Sequence, residues 1–83
     1  MRVQVRYFAA LREALGAGEA VELAAGSSLA QLRDQLVATG GRHAEVLGRG
    51  RALRCALNQV MSDESARVTD GAEVAFFPPV TGG

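Results

Sequence analysis

Polar and hydrophobic residues alternate near the start of this chain, and a period of two predicts a half-buried β-strand over residues 2–7. Residues 73–77 are predicted to form the last strand. The apolar positions that share the inward phase are Val3, Val5, Tyr7, Val74 and Phe76. Phe8 and Phe77 fall out of that phase. We therefore expect both of these aromatic side chains on the outward face of a sheet.

Shorter segments in the middle of the chain predict further strands. Residues 19–23 alternate again, and residues 53–57 place Leu53, Cys55 and Leu57 on one side. Asn58-Gln59 predicts a turn, since Asn tolerates the left-handed conformation, and Val60-Met61 predicts a brief fourth strand. Asp70-Gly71 is a strong turn signal before the last strand.

The strongest helix signal begins at Ser28, whose side chain can cap the helix while Gln31 reaches back to it. The positions expected to face the core are Leu29, Leu32 and Leu36, and those expected to face solvent are Arg33, Asp34 and Gln35. Gly40-Gly41 is expected to end this helix. Residues 42–51 are rich in Arg and Gly, and we expect a loop there with at most one helical turn near residues 44–47.

A short helix over residues 9–15, ended by Gly16, completes the order of elements. That order is strand, short helix, strand, longer helix, then two or three strands. A sheet covered on one face by an amphipathic helix predicts an α+β fold. Pairing the first strand with the last in the centre of the sheet would hold the two ends of the chain together.

Composition narrows the class of protein. The 83 residues suit one domain, and 48% hydrophobic residues are enough for a packed core. Nine Arg balance nine acidic residues, so no charge footprint for nucleic acid or an anionic membrane exists. The chain has no Lys, and its single Cys excludes an internal disulfide. Without a signal peptide or a long apolar run, we expect a cytoplasmic protein.

The last residues carry the clearest chemical signal. After Phe76-Phe77, Pro78 and Pro79 remove two backbone donors, so a strand cannot continue and the chain leaves the sheet extended. Gly82 and Gly83 lack a Cβ and can enter a slot too narrow for other residues. The reactive group at such a tip is the α-carboxylate of Gly83. This pattern indicates a protein whose own C-terminus is a substrate.

Three stretches carry a resemblance to a known family: residues 5–13 (VRYFAALRE), Asn58-Gln59, and residues 70–83 (DGAEVAFFPPVTGG). Together they resemble the small, sulfur-carrying subunits of molybdopterin synthase, which have the ubiquitin-like β-grasp fold. The resemblance implies an α+β chain with a mixed four- to five-stranded sheet packed on one main helix. It also implies a β-grasp domain over residues 1–77 and an extended functional tail over residues 78–83.

The resemblance implies a function in molybdenum cofactor biosynthesis. A ubiquitin-activating-like adenylyltransferase would use ATP to adenylate Gly83, and a sulfur donor protein would convert it to a thiocarboxylate. The tail would then enter the large catalytic subunit of a heterotetramer and give its sulfur to a pyranopterin precursor. The chain would act as a co-substrate with no bound cofactor or metal. Besides Gly82 and Gly83, the expected partner-binding residues are Phe8, Met61, Phe77, Pro78, Pro79, Val80 and Thr81.

Other functions share the same tip chemistry. The tail is compatible with a sulfur carrier for thiamine synthesis or tRNA thiolation, and with a ubiquitin-like modifier attached to lysines of other proteins. A β-grasp binding module without tail chemistry is a further alternative. Loss of Gly83 would leave a binding module active and would inactivate the carriers.

The remaining reactive side chains have ordinary structural interpretations. Cys55 shares the phase of the core and is expected to be inert. His43 is expected to be a solvated loop residue without metal-ligand neighbours. Residues 48–51 (GRGR) lack the lysine and the preceding strand of a phosphate-binding loop, and we expect a mobile loop there. Asp70 and Glu73 are expected to be a turn residue and an outward strand residue.

Overall fold

A computed structural model describes residues 1–79. Its elements, in chain order, are β1 (Arg2–Tyr7), α1 (Ala10–Leu15), β2 (Gly18–Glu22), α2 (Leu29–Ala38), α3 (Gly41–Leu47), β3 (Arg54–Leu57), β4 (Val60–Ser62) and β5 (Glu73–Phe77). The five strands form one sheet in the order β2-β1-β5-β3-β4. Strands β1 and β5 are parallel, and every other neighbouring pair is antiparallel.

The central pair of the sheet joins the first strand to the last, as the sequence predicts. Val5 pairs with Val74 and Tyr7 pairs with Phe76 across β1 and β5. This pairing and the mixed strand directions confirm the α+β, β-grasp prediction. Because β5 lies between β1 and β3, the segment that leads into the tail is hydrogen-bonded on both sides.

The core lies between one face of the sheet and the three helices. Most strand residues predicted to point inward are buried, with Val5 and Val74 fully inaccessible, whereas Leu53 and Leu57 are partly buried. Helix α2 contributes Leu29, Leu32 and Leu36, none more than 2% exposed. The capping box at its start is confirmed, since Gln31 N donates to Ser28 Oγ and Ser28 N donates to Gln31 Oε1. The opposite face of the sheet is here called the outer face, and none of the helices within residues 1–79 packs against it.

The prediction that Arg33 faces solvent is wrong. Its side chain is buried because the end of α3 and the following loop surround it with acceptors. Nε donates to Leu47 O at 2.7 Å, and Nη2 donates to Gly48 O at 2.7 Å and to Arg51 O at 2.8 Å. The Arg33 guanidinium thus donates hydrogen bonds to backbone carbonyls at and after the C-terminal end of α3, where helical partners are missing.

The prediction of a loop over residues 42–51 is also wrong in its first half, because the single helical turn expected near residues 44–47 is part of the longer helix α3, which has two turns. Gly40, with φ at 80°, reverses the chain directly after α2 and lets α3 pack back against it. Leu47 is completely buried and anchors this helix in the core. The sequence of this Arg- and Gly-rich stretch has little helical periodicity, so the helix depends on the tertiary contact of Leu47.

The turn before β4 is confirmed. Asn58 and Gln59 both have positive φ, 49° and 69°, as a tight two-residue hairpin of the type I′ class requires. The Asn58 side chain accepts a hydrogen bond from Glu73 N at 3.0 Å, which ties the hairpin to β5. Within residues 1–79 no helix is both long enough and apolar enough to span a membrane.

Candidate functional site

The base of the tail lies at the end of the central strand. Phe77 is the last residue of β5, and Pro78 and Pro79 follow it half-buried. Neither proline has a backbone N–H, so the ladder cannot extend along them. The expected site residues Val80, Thr81, Gly82 and Gly83 lie outside the described residues, and their roles stay predictions. The division into residues 1–77 and a tail from 78 to 83 is likewise untested.

Two aromatic residues occupy neighbouring positions beside this base. Phe8 N donates to Phe76 O at 3.2 Å, which continues the β1–β5 pairing one residue past Tyr7. Phe8 therefore lies next to Phe77 across the strands, on the outer face. The side chain of Phe8 is 43% exposed and Phe77 is half-buried, whereas Phe76, on the inward face, is 1% exposed. The predicted outward placement of both aromatics is confirmed.

Met61 lies on the same face, farther from the tail. It pairs with Ala56 of β3, and Ala56 pairs with Ala75 of β5, so the three residues form one row across the sheet. Met61 is 58% exposed. Two small alanines therefore separate it from the strand that carries Phe77, and the outer face is shallow between them. All three predicted apolar residues lie on the outer face, but of the three only Phe8 and Phe77 occupy neighbouring positions.

Charged residues border the apolar part of the outer face. Arg6 pairs with Glu73 at 3.4 Å, one row before the phenylalanines. Arg54, the cross-strand partner of Phe77, is exposed. Two basic groups and one acidic group around an apolar centre give this face the composition of a protein-binding surface.

A cleft of about 500 Å³ opens where β3 and β4 diverge. The residues that line it are Leu53, Arg54, Cys55, Met61, Ser62, Asp63 and Glu64. Cys55 is 4% exposed, and its thiol donates to Ser62 O at 3.3 Å. Burial, with a smaller contribution from the charge of Glu64, raises the pKa of this thiol. The buried, protonated Cys55 is therefore a poor nucleophile, as the sequence predicts.

A cluster that sequence analysis missed joins β1, β2 and α3. Glu19 Oε2 accepts hydrogen bonds from Tyr7 Oη at 2.7 Å and from His43 Nε2 at the same distance. Burial opposes ionisation of Glu19, but the bonds from His43 and Tyr7 outweigh it and lower the pKa of this carboxyl. Burial and the neighbouring carboxylate raise the pKa of Tyr7. The prediction of a solvated His43 is wrong, because α3 carries this ring onto the sheet.

A second missed cluster holds the segment after α3. Arg33 Nη1 donates to Glu64 Oε2 at 2.8 Å, and Arg49 contacts both Glu64 and Asp34. Burial raises the pKa of Glu64, but hydrogen bonds from the two guanidinium groups outweigh it and lower the pKa. The mobile loop expected over residues 48–51 is instead held by these ion pairs. The partners lie too far apart in sequence for a local pattern to reveal them.

Neither cluster has the arrangement of an active site. Their carboxylates are occupied by hydrogen-bond partners that hold one element to another, and the structure of residues 1–79 contains no group of three potential metal ligands. Asp70 accepts a hydrogen bond from Arg2 N at 2.8 Å, which is a turn contact. The chemically distinctive features of the described chain are thus the outer face and the tail base beside it.

Comparison with known proteins agrees with this geometry. A model of the ThiS family matches residues 5–83. The molybdopterin synthase sulfur carrier subunit of Escherichia coli is 43% identical over 98% of this chain and 99% of its own length.

Two solved structures extend the comparison. Subunit 1 of the molybdopterin-converting factor from Helicobacter pylori was solved in a complex with subunit 2. The alignment covers 100% of this chain and 100% of the Helicobacter pylori chain, with 27% identity and a TM-score of 0.70. SAMP1 from Haloferax volcanii, at 24% identity, full coverage of both chains and a TM-score of 0.80, shows the shared fold. By sequence and by structure, this chain belongs to the ThiS family of ubiquitin-like β-grasp proteins.

Proposed function

We propose that this chain is the sulfur carrier subunit of a molybdopterin synthase. The observation that carries the proposal is the place where strand β5 ends. The family match runs through residue 83, and Pro78 and Pro79 follow the central strand β5 beside the exposed Phe8 and the half-buried Phe77. A carrier needs such an arrangement, because its tip must reach into a partner while its folded part docks alongside.

The chemistry takes place at the Gly83 carboxyl group. A carboxylate reacts poorly with nucleophiles until its oxygen becomes part of a good leaving group. Attack of the carboxylate on the α-phosphate of ATP releases pyrophosphate and forms the acyl-adenylate. A sulfide equivalent then forms a C–S bond at the carbonyl carbon, the C–O bond to AMP breaks, and a thiocarboxylate remains. Gly82 and Gly83 supply a tip narrow enough to enter the sites of the enzymes that act on it.

The partners follow from the chemistry and the likeness. An adenylyltransferase related to ubiquitin-activating enzymes would form the acyl-adenylate, and a sulfur donor protein would supply the sulfide. The large catalytic subunit would receive the tail, bind the outer face through Phe8, Phe77 and Met61, and transfer sulfur to the pyranopterin precursor. Two carriers on a dimer of large subunits would make a heterotetramer. The chain itself would hold no cofactor and no metal, and it would act in the cytoplasm.

The homologous relatives do not favour the other functions that share this tip. A carrier for thiamine synthesis or tRNA thiolation would use the same activated Gly83 but another acceptor, and a protein modifier would form amide bonds to lysines. These functions differ in the molecule that finally receives the sulfur or the activated Gly83 carboxyl group. The outer face, with its apolar centre beside the tail, suits a dedicated protein partner.

The test is the intact mass of the chain after incubation with ATP, the host's activating enzyme and inorganic sulfide. We expect the mass to rise by the difference between one sulfur and one oxygen atom. A variant that lacks Gly83 is the matched control, and it should keep its mass. An unchanged mass of the full chain, with an enzyme that thiocarboxylates a known carrier in parallel, would contradict the proposal.

A further inference from the structure

The activated carboxyl group proposed for Gly83 is an electrophile that any accessible amine or thiolate can attack. An amine would displace AMP, form a C–N bond and release a proton, which leaves an amide that cannot carry sulfur. The segment after Phe77 is six residues long and spans about 20 Å when extended. It can therefore reach much of its own domain, and self-acylation is a competing reaction built into any carrier of this size.

The side chains of this protein include no primary amine that could take part in that reaction. All nine cationic side chains are Arg, and none of the 83 residues is Lys. The guanidinium group stays protonated at every physiological pH and is no acyl acceptor. Several of these Arg side chains are exposed, among them Arg6 and Arg54 on the outer face. Lysines at those two positions would place amines directly beside the tail base.

The Cys55 thiol is inaccessible because it is buried. Cys55 pairs with Phe76 inside the sheet, and its Sγ donates to Ser62 O. At 4% exposure it is closed to an acyl group carried by the tail. An intramolecular thioester at Cys55 would require β3 to separate from its neighbours.

The α-amine of Met1 is placed away from the tail. Its nitrogen donates to Leu23 O at 2.8 Å and is partly buried. Because β1 runs parallel to β5, Met1 lies at the end of the sheet opposite Phe77. The six residues of β1 put about 20 Å between this amine and the tail base. The tail would have to lie fully extended backward along the sheet to reach it.

We propose that the carrier presents no accessible amine or thiolate side chain to its own tail, so that activated Gly83 reacts with an external sulfur nucleophile and not with the carrier. This proposal rests on the function proposed above and adds a determinant of acceptor choice. Arg at exposed positions keeps the charge of the outer face while it withholds the nucleophile. The restriction acts on the carrier and leaves the catalytic groups of its partners unaffected.

The test introduces an amine and follows the products by intact mass. Arg54→Lys and Arg6→Lys preserve charge, and Arg54→Gln serves as the matched control without a nucleophile. Each variant is incubated with ATP and the activating enzyme, with and without inorganic sulfide. An internal amide lowers the mass by one water, and an intermolecular amide gives a linked dimer.

At about 10 µM protein, a tethered lysine at millimolar effective concentration should react about a hundredfold faster within its own chain than with a second chain. We expect the internal amide in at least one lysine variant and not in the wild type or Arg54→Gln. Amide formation by the wild type at a similar level, or its absence from both lysine variants, would overturn the inference. The sulfide arm separates the two proposals, because a wild-type chain that forms no thiocarboxylate refutes the proposed function itself.

Discussion

Replacing Phe77 by Ala is expected to weaken binding to the large subunit far more than it destabilises the fold. Phe76 and Phe77 are consecutive residues of β5 that point to opposite faces of the sheet. Phe76 is 1% exposed in the core, whereas Phe77 is half-buried on the outer face. The pair therefore offers the same substitution at neighbouring positions in two different environments.

The magnitudes follow from burial. Phe76→Ala removes a fully buried ring and should cost about 3–5 kcal/mol of unfolding free energy. Phe77→Ala removes a ring that water already reaches, and we expect a loss of about 1 kcal/mol. An aromatic side chain at the centre of an interface contributes about 2 kcal/mol or more to binding, which corresponds to a roughly thirtyfold rise in Kd.

The two quantities need separate assays. Denaturant unfolding measures the free energy of unfolding of each variant, and titration calorimetry with the large subunit measures Kd. Phe77→Ala should show the larger effect in binding, and Phe76→Ala the larger effect in stability. If Phe77→Ala destabilised the fold as strongly as Phe76→Ala and left Kd unchanged, Phe77 would be a core residue and the assignment of the outer face would be wrong.

Three further outcomes follow from the described contacts. Arg33→Ala leaves three backbone carbonyls without their side-chain donor and removes one of the two guanidinium groups that bond Glu64, so it should lower the unfolding free energy by about 3–5 kcal/mol. Arg12→Ala, at an exposed position of α1, should change it little, and equal effects would refute the role of the buried guanidinium. The pKa of Glu19 is lowered in the folded state, so the stabilising contribution of its carboxylate is present above pH 4.5 and is lost as the pH falls through the folded pKa. Glu19→Gln should therefore reduce the loss of unfolding free energy at acid pH. An unchanged dependence of the unfolding free energy on pH would argue against the cluster. Cys55 should resist alkylation in the native protein and react at once in denaturant, as followed by intact mass; rapid native alkylation would show that the thiol is accessible.

Sequence reasoning succeeded where the signal is local. The alternation of β1, the capping box of Ser28 with Gln31, and the left-handed turn at Asn58 each depend on residues within a few positions of one another. The parallel pairing of β1 with β5 is long-range, but the predicted order of elements leaves few other ways to cover the sheet with α2. These features sufficed to predict the α+β class and the outward direction of the two phenylalanines, whereas the β-grasp fold was implied by the family resemblance.

The clusters could not be found in the same way. Arg33 is 31 residues from Glu64, and His43 is 24 residues from Glu19. Only α3 brings those side chains to their partners, and α3 itself depends on burial of Leu47 rather than on a strong local period. A charged residue on a helix face normally faces solvent, so the buried Arg33 is an exception that only the folded chain reveals.

The central claim is that sulfur leaves this chain from Gly83, and single-turnover transfer tests it most directly. The chain carrying a Gly83 thiocarboxylate is mixed with the large subunit and the pyranopterin precursor, and the masses of carrier and pterin are followed together. The account requires the carrier to return to its carboxylate mass as the dithiolene forms, with two carriers consumed for each product. A thiocarboxylate that persists, while a known carrier is consumed with the same large subunit and precursor, would contradict it.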